Sequence, residues 1–142
     1  MKSNKIFPWL PYMVFFVFTF IYFGFFSDYV LFYQEKASLF IFSSDFLLEN
    51  LNQPGGFMIW LGKLFTTFYY YPLAGAAIVS ATLTLVVLTI SKIIFFTTGK
   101  KTKILPLIFG VAIFFLQTDY RCLLYINLGL LLQLALFYLT IR

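Results

Sequence analysis

Apolar positions dominate this chain in long runs, and the length of each run decides what it can become. A helix needs about 20 apolar residues to cross the hydrocarbon core of a bilayer. Residues 7–26 form such a run, with Pro8 and Pro11 in the first turns, where a missing backbone N–H costs little. Residues 72–96 form a second, interrupted near its end by Lys92, whose amine can snorkel to the interface. Residues 122–141 form another. The run at 104–118 is shorter and contains Pro106 and Gly110; local thinning of the bilayer lets it span. The pattern therefore predicts an all-α membrane bundle with four transmembrane helices.

The segment 27–71 is too long for a tight turn and too apolar for a solvated loop. Ser44 to Glu49 reads as a short helix with Ser44 as its N-cap. It stops at Asn52-Gln53-Pro54-Gly55-Gly56, a strong helix breaker. Phe57, Trp60, Leu61, Leu64, Phe65 and Phe68 then recur at helical spacing, opposite Lys63, Thr66 and Thr67. Such a helix lies in the membrane interface with its apolar face down. Tyr69, Tyr70 and Tyr71 follow as an aromatic anchor before Pro72. Two interfacial helices hinged at Pro54-Gly55-Gly56 are the expectation for this loop.

Composition agrees with the runs. The 142 residues are 62% hydrophobic and only 11% charged, against about 25% charged in an average soluble domain. The run at 7–26 follows Lys2 and Lys5 like a signal peptide, but it is long and ends Phe25-Phe26-Ser27-Asp28 without a small-residue cleavage site. It is expected to stay as an anchor.

Charge placement gives an orientation. With the amino terminus in the cytoplasm, Lys2, Lys5, Lys92, Lys100, Lys101, Lys103 and Arg142 fall inside, seven of the ten basic residues. Lys36, Lys63 and Arg121 fall outside with all five carboxylates, Asp28, Glu35, Asp45, Glu49 and Asp119. The excess of lysine and arginine is expected to put both termini on the cytoplasmic side of the membrane. The net charge of +5 does not indicate nucleic acid, because the basic residues are scattered among apolar spans.

Catalytic vocabulary is sparse. There is no histidine, which removes His-based acid–base chemistry, His-ligated zinc and the Ser-His-Asp triad. Cys122 is the one cysteine, so no intrachain disulfide forms. No phosphate-binding glycine motif, metal-ligand set or cofactor motif is evident. Asn127 and Gln133 are uncharged and read as interhelical hydrogen-bonding groups. Gly75-Ala76-Ala77 with Ser80 and Ala81 one turn on has the small-residue spacing of close helix packing. Asp119 and Arg121 read as a solvated pair in a tight outer turn.

Asp28, where the first span emerges, and Glu35, two turns later, remain as candidate catalytic residues. A carboxylate framed by aromatics at a membrane surface can serve as a general base or hold a divalent cation. The plainer reading makes Asp28, Asp45 and Glu49 helix caps and wet faces.

Several elements occur in an order that resembles a known family. Tyr33-Gln34-Glu35-Lys36-Ala37-Ser38-Leu39-Phe40-Ile41-Phe42 is followed by Asp45-Phe46-Leu47-Leu48-Glu49, Pro54-Gly55-Gly56, Leu61-Gly62 and Phe68-Tyr69-Tyr70-Tyr71-Pro72 with Gly75-Ala76. Together they resemble the bacterial multi-pass membrane proteins of domain-of-unknown-function family 6057, over roughly the first hundred residues. That family has no established activity, and the resemblance implies that the chain is the amino-terminal module of a longer protein. In architecture alone, a span, an outer carboxylate, two interfacial helices and a second span are similar to the start of GT-C glycosyltransferases that use lipid-linked sugars. That similarity would make Asp28, and less so Glu35, the base or metal ligand. A fold-level analogy is weak warrant for function.

The expected function is that of an integral membrane module with a structural or assembly role, with no enzymatic activity expected of this chain alone. A glycosyltransferase fragment is the alternative and a small transporter subunit a second, disfavoured by the lack of a mid-span charge. The expected partners are the lipid bilayer and other membrane subunits.

Overall fold

The computed structural model describes residues 9–142, and the regular elements among them are all helical. α1 (Leu10–Ile21) runs into a π turn (Tyr22–Phe26), and α2 (Asp28–Ala37), α3 (Ser44–Leu51) and α4 (Gly56–Thr66) follow. A 3-10 turn (Thr67–Tyr70) leads into α5 (Pro72–Thr98), α6 (Ile104–Gln117) and α7 (Leu124–Ile141). Lys2, Lys5, Phe7 and Pro8, which enter the expected first span and its charge balance, lie outside the described residues.

α5 and α7 are long and apolar enough to cross a membrane, and α1 with α2 makes a third such unit if the bent pair is one span. The pair bends by 76°. Its cause is local: the Ser27 N–H reaches back to the Tyr22 carbonyl at 2.9 Å, an i to i−5 bond that widens the last turn before the chain breaks. α6 is apolar but shorter. An all-helical chain with several membrane-compatible helices agrees with the sequence pattern. The final helix starts two residues later than expected, so Cys122 and Leu123 belong to the preceding turn.

α5 is the axis around which the others pack. Ala76, Val79, Leu83, Val86 and Val87 are essentially inaccessible, and they meet Phe15, Phe23, Phe114 and Leu124 from the surrounding helices. Phe114 of α6 lies between Tyr22, at 4.9 Å between ring centroids, and Phe23, at 5.7 Å. The hydroxyls along α5 turn back onto their own helix: Ser80 donates to the Ala76 carbonyl at 2.6 Å and Thr82 to Ile78 at 2.8 Å. Each is thereby satisfied in apolar surroundings without help from water.

Direction alternates along the chain, so two ends of the bundle collect different elements. At one end the Tyr12 hydroxyl of α1 meets the Ser91 hydroxyl of α5 at 2.7 Å, and Phe96 of α5 meets Tyr138 of α7. At the other, α2 meets the turn between α6 and α7 through Gln34.

Two local expectations are corrected. Ser43, not Ser44, caps α3, accepting from the Phe46 N–H at 3.1 Å; Ser43 is extended while Ser44 is already helical. Tyr69 is a core residue at 1% exposure, and only Tyr70 and Tyr71 project outward. The small-residue face of α5 packs closely as expected: Ala76 is fully buried, with its Cβ 3.5 Å from where a Cβ on Gly24 would lie. The hinge before α4 appears where expected, with Gly55 at φ 75°, a left-handed conformation that glycine adopts without strain.

Candidate functional site

Asp28 is the first residue of α2 and is exposed, where its charge complements the positive end of the helix dipole. It lines a cleft of about 210 Å³ with Tyr29, Phe32, Tyr69, Tyr70 and Pro72. The expected setting, a carboxylate framed by aromatics, is therefore present. Glu35 is half-buried and seven residues further along α2, a rise of about 10 Å, and it does not line this cleft. The two candidates are not brought together. Among the described residues no group of three or more His, Cys, Asp or Glu gathers as a cation site would need.

The polar groups that do converge are uncharged. Gln34, next to Glu35, is fully buried and donates its side-chain N–H to the Cys122 carbonyl at 2.9 Å, tying α2 to the turn between α6 and α7. Gln117, also fully buried, accepts from the side-chain N–H of Asn127, which joins the last residue of α6 to the first turns of α7. Asn127 thus makes the interhelical bond expected of it, whereas Gln133 is exposed.

Gln34 Oε1, Gln117 Nε2 and Tyr69 Oη are buried and have no hydrogen-bond partner among the described residues. A buried polar atom left so costs about 1–3 kcal/mol. Burial also pushes the Tyr69 hydroxyl well above its ordinary pKa, so it remains a neutral donor and acceptor. The sequence reading missed Gln34 and Gln117. The available signal was register: Val30, Leu31 and Gln34 share a face of α2, as Gly110, Phe114 and Gln117 do on α6.

The turn itself differs from the expected ion pair. Asp119 Oδ1 accepts from the backbone N–H of Arg121 at 3.0 Å, while Arg121 Nε donates to the Tyr120 hydroxyl at 3.2 Å. Those contacts, the Tyr120 hydrogen bond foremost, push the Arg121 guanidinium further above its usual pKa. The Cys122 thiol is also raised, first by burial and then by the nearby Asp119 charge.

The fold and these contacts define an all-helical protein with membrane-compatible helices, joined at one end by buried uncharged amides. Residues 2–142 match the family of unknown function (DUF6057), and the chain belongs to that family. The match extends well beyond the first hundred residues over which the resemblance is legible in the motifs. No curated protein and no solved structure matches the chain.

Proposed function

We propose that this chain is an integral membrane module of the bacterial inner membrane with a structural or assembly role and both termini in the cytoplasm. Its four spans are α1 with the π turn, α5, α6 and α7. The observation that carries this reading is α5, 27 residues long with a mean hydropathy of 2.3 over an 18-residue stretch, which supplies the buried centre of the core. At 1.5 Å per residue it measures about 40 Å, against about 30 Å of hydrocarbon. α7 supports the same solvent, since Leu124 and Asn127 are its only buried residues and the remainder is largely apolar. α6 is about 21 Å long, and the bilayer thins or its flanking residues extend to meet it.

α2, α3 and α4 are the interfacial helices of the outer loop in this reading. The 76° bend after the π turn supports turning α2 away from the direction of α1. The outward faces of α2 and α4 carry aromatics: Tyr29 and Tyr33 on α2 and Phe57 on α4 are each at least half exposed. The buried polar side chains among the described residues are all uncharged, which disfavours a transport pathway.

Labelling with a membrane-impermeant maleimide tests the arrangement. In a Cys122→Ser background, Asn52→Cys should react in intact cells and Lys100→Cys only after the membrane is opened. Equal reactivity of both in intact cells would overturn the orientation.

A second reading, a fragment of a lipid-linked-sugar glycosyltransferase, is favoured by one observation, the Asp28 cleft. In it Asp28 is the base or metal ligand.

A further inference from the structure

The end of the bundle opposite the amide contacts holds a cavity of about 240 Å³ between the start of α1, the end of α5 and the loop to α6. Lys92, Lys101 and Lys103 line it, and among the described residues no carboxylate does. The hydrogen-bonded Tyr12 and Ser91 hydroxyls form part of its wall. α6 begins directly after Lys103 without a side-chain cap, so the positive end of its dipole lies beside the three amines. Three ammonium groups, two hydroxyls and a helix N-terminus are the donor set of a phosphate site.

Thr102 adds a further hydroxyl-bearing side chain, and the rest of the wall is apolar, from Trp9, Leu88 and Phe95, with Trp9 61% exposed and Phe95 46% exposed. The Lys101 ammonium sits over the Phe95 ring, 5.6 Å from its centroid, so charge and apolar surface meet at the rim. A soluble phosphate has no use for these apolar walls; an ester carrying acyl chains does. The volume is below the roughly 300–1,000 Å³ of pockets that enclose drug-sized ligands, which suits a headgroup with its chains left outside. Depth agrees as well. Lys92 lies six residues before the end of α5, about 9 Å along the axis. The surplus of α5 over the hydrocarbon thickness is about 10 Å shared between its two ends, and the long Lys92 stem snorkels the remaining few ångströms, about 4 Å, to headgroup level.

We propose that this pocket binds the phosphodiester of an anionic phospholipid headgroup. Lys92, Lys101 and Lys103 neutralise the phosphate, and the chains lie against Trp9 and Phe95. The proposal rests on the membrane reading above, under which this end faces the cytoplasmic leaflet, where anionic lipid is concentrated.

The test is native mass spectrometry of the full chain released from nanodiscs of mixed phosphatidylglycerol and phosphatidylethanolamine. The wild type should retain phosphatidylglycerol in preference. The K92Q/K101Q/K103Q variant should weaken that preference about a hundredfold, since each lysine near an anionic lipid is worth roughly a factor of five. K100Q, in the same loop but outside the lining, should change it little, and the triple arginine variant should restore it. An unaltered preference in the triple glutamine variant overturns the site. An equal loss in K100Q reduces it to general surface charge and overturns it too. Displacement of the lipid by equimolar inorganic phosphate would make the ligand a soluble phosphate and overturn the lipid assignment. Failure of the membrane reading shows separately, as release of the unmodified chain from native membranes by alkaline carbonate.

Discussion

Gly62 of α4 lies directly against Tyr125 of α7: a Cβ built on Gly62 would fall 2.5 Å from Tyr125 Cβ and 2.9 Å from its Cα. Both atoms are fixed to the backbone, so no rotamer change relieves the contact. Gly62→Ala is therefore expected to push α4 off α7, with a cost of about 1–3 kcal/mol, as for other overpacked sites. Thermal unfolding in detergent reads this as a lowered Tm. Tyr125→Ala should not rescue the variant, because the alanine keeps both Cβ and Cα. An unchanged Tm in Gly62→Ala would mean that α4 is not docked on α7.

That contact explains where the sequence was informative and where it was not. Helical spacing correctly located α4 and identified its apolar face, and the breaker at Pro54-Gly55-Gly56 located the hinge. The spacing did not indicate which face meets the protein. The buried residues of α4 are Gly56, Gly62 and Thr66, while Phe57 is exposed and Trp60 half-buried. In water an apolar face turns toward the core; in lipid both solvents are apolar, and small residues mark the protein side instead. Gly62 entered only as part of the Leu61-Gly62 element of the resemblance. The same rule hid Gln34 and Gln117, since a polar residue on a buried stripe has no distinct pattern. Asp28 was legible because a carboxylate just past an apolar run is conspicuous, but the cleft around it depends on Tyr69 and Tyr70 from a turn far along the chain.

The Gln117–Asn127 bond makes a prediction with a sign change. Asn127→Leu removes the donor and leaves Gln117 Oε1 without its partner, beside an Nε2 that already lacks one. A cost of about 1–3 kcal/mol is expected. Adding Gln117→Leu removes the stranded amide altogether, so the double variant should recover much of the loss. Unfolding measured in bilayers by steric trapping distinguishes the two. A double variant less stable than the single one would contradict the account.

Cys122 offers a chemical check on the turn between α6 and α7. Its thiol is raised above the ordinary value by burial first and by the Asp119 charge second, so little thiolate is present at neutral pH. Alkylation of the folded chain should be slower at pH 7 than that of free cysteine, with its pH–rate midpoint above that of free cysteine. Asp119→Asn removes the charge but not the burial, and should move the midpoint down only part of the way. A midpoint at or below that of free cysteine would place Cys122 in a setting different from the one described.

Asp28→Asn and Ala76→Leu together separate the two functional readings. Asp28→Asn keeps the shape of the cleft and removes only the charge. Its structural effect is limited to the helix-dipole term, about 0.3–1 kcal/mol at an exposed site. If Asp28 is a base or metal ligand, its loss abolishes function in the host while insertion and abundance stay normal. Ala76→Leu acts in the opposite way. Ala76 has no accessible surface and faces Gly24, so the larger side chain forces the π turn after α1 from α5 and lowers the amount of folded protein. Under the module reading, complementation of a deletion strain should fail with Ala76→Leu and succeed with Asp28→Asn. Full function in Asp28→Asn sinks the glycosyltransferase reading. Loss of function in Asp28→Asn at normal abundance sinks the purely structural one, because a change confined to one exposed carboxylate leaves the packing around α5 untouched.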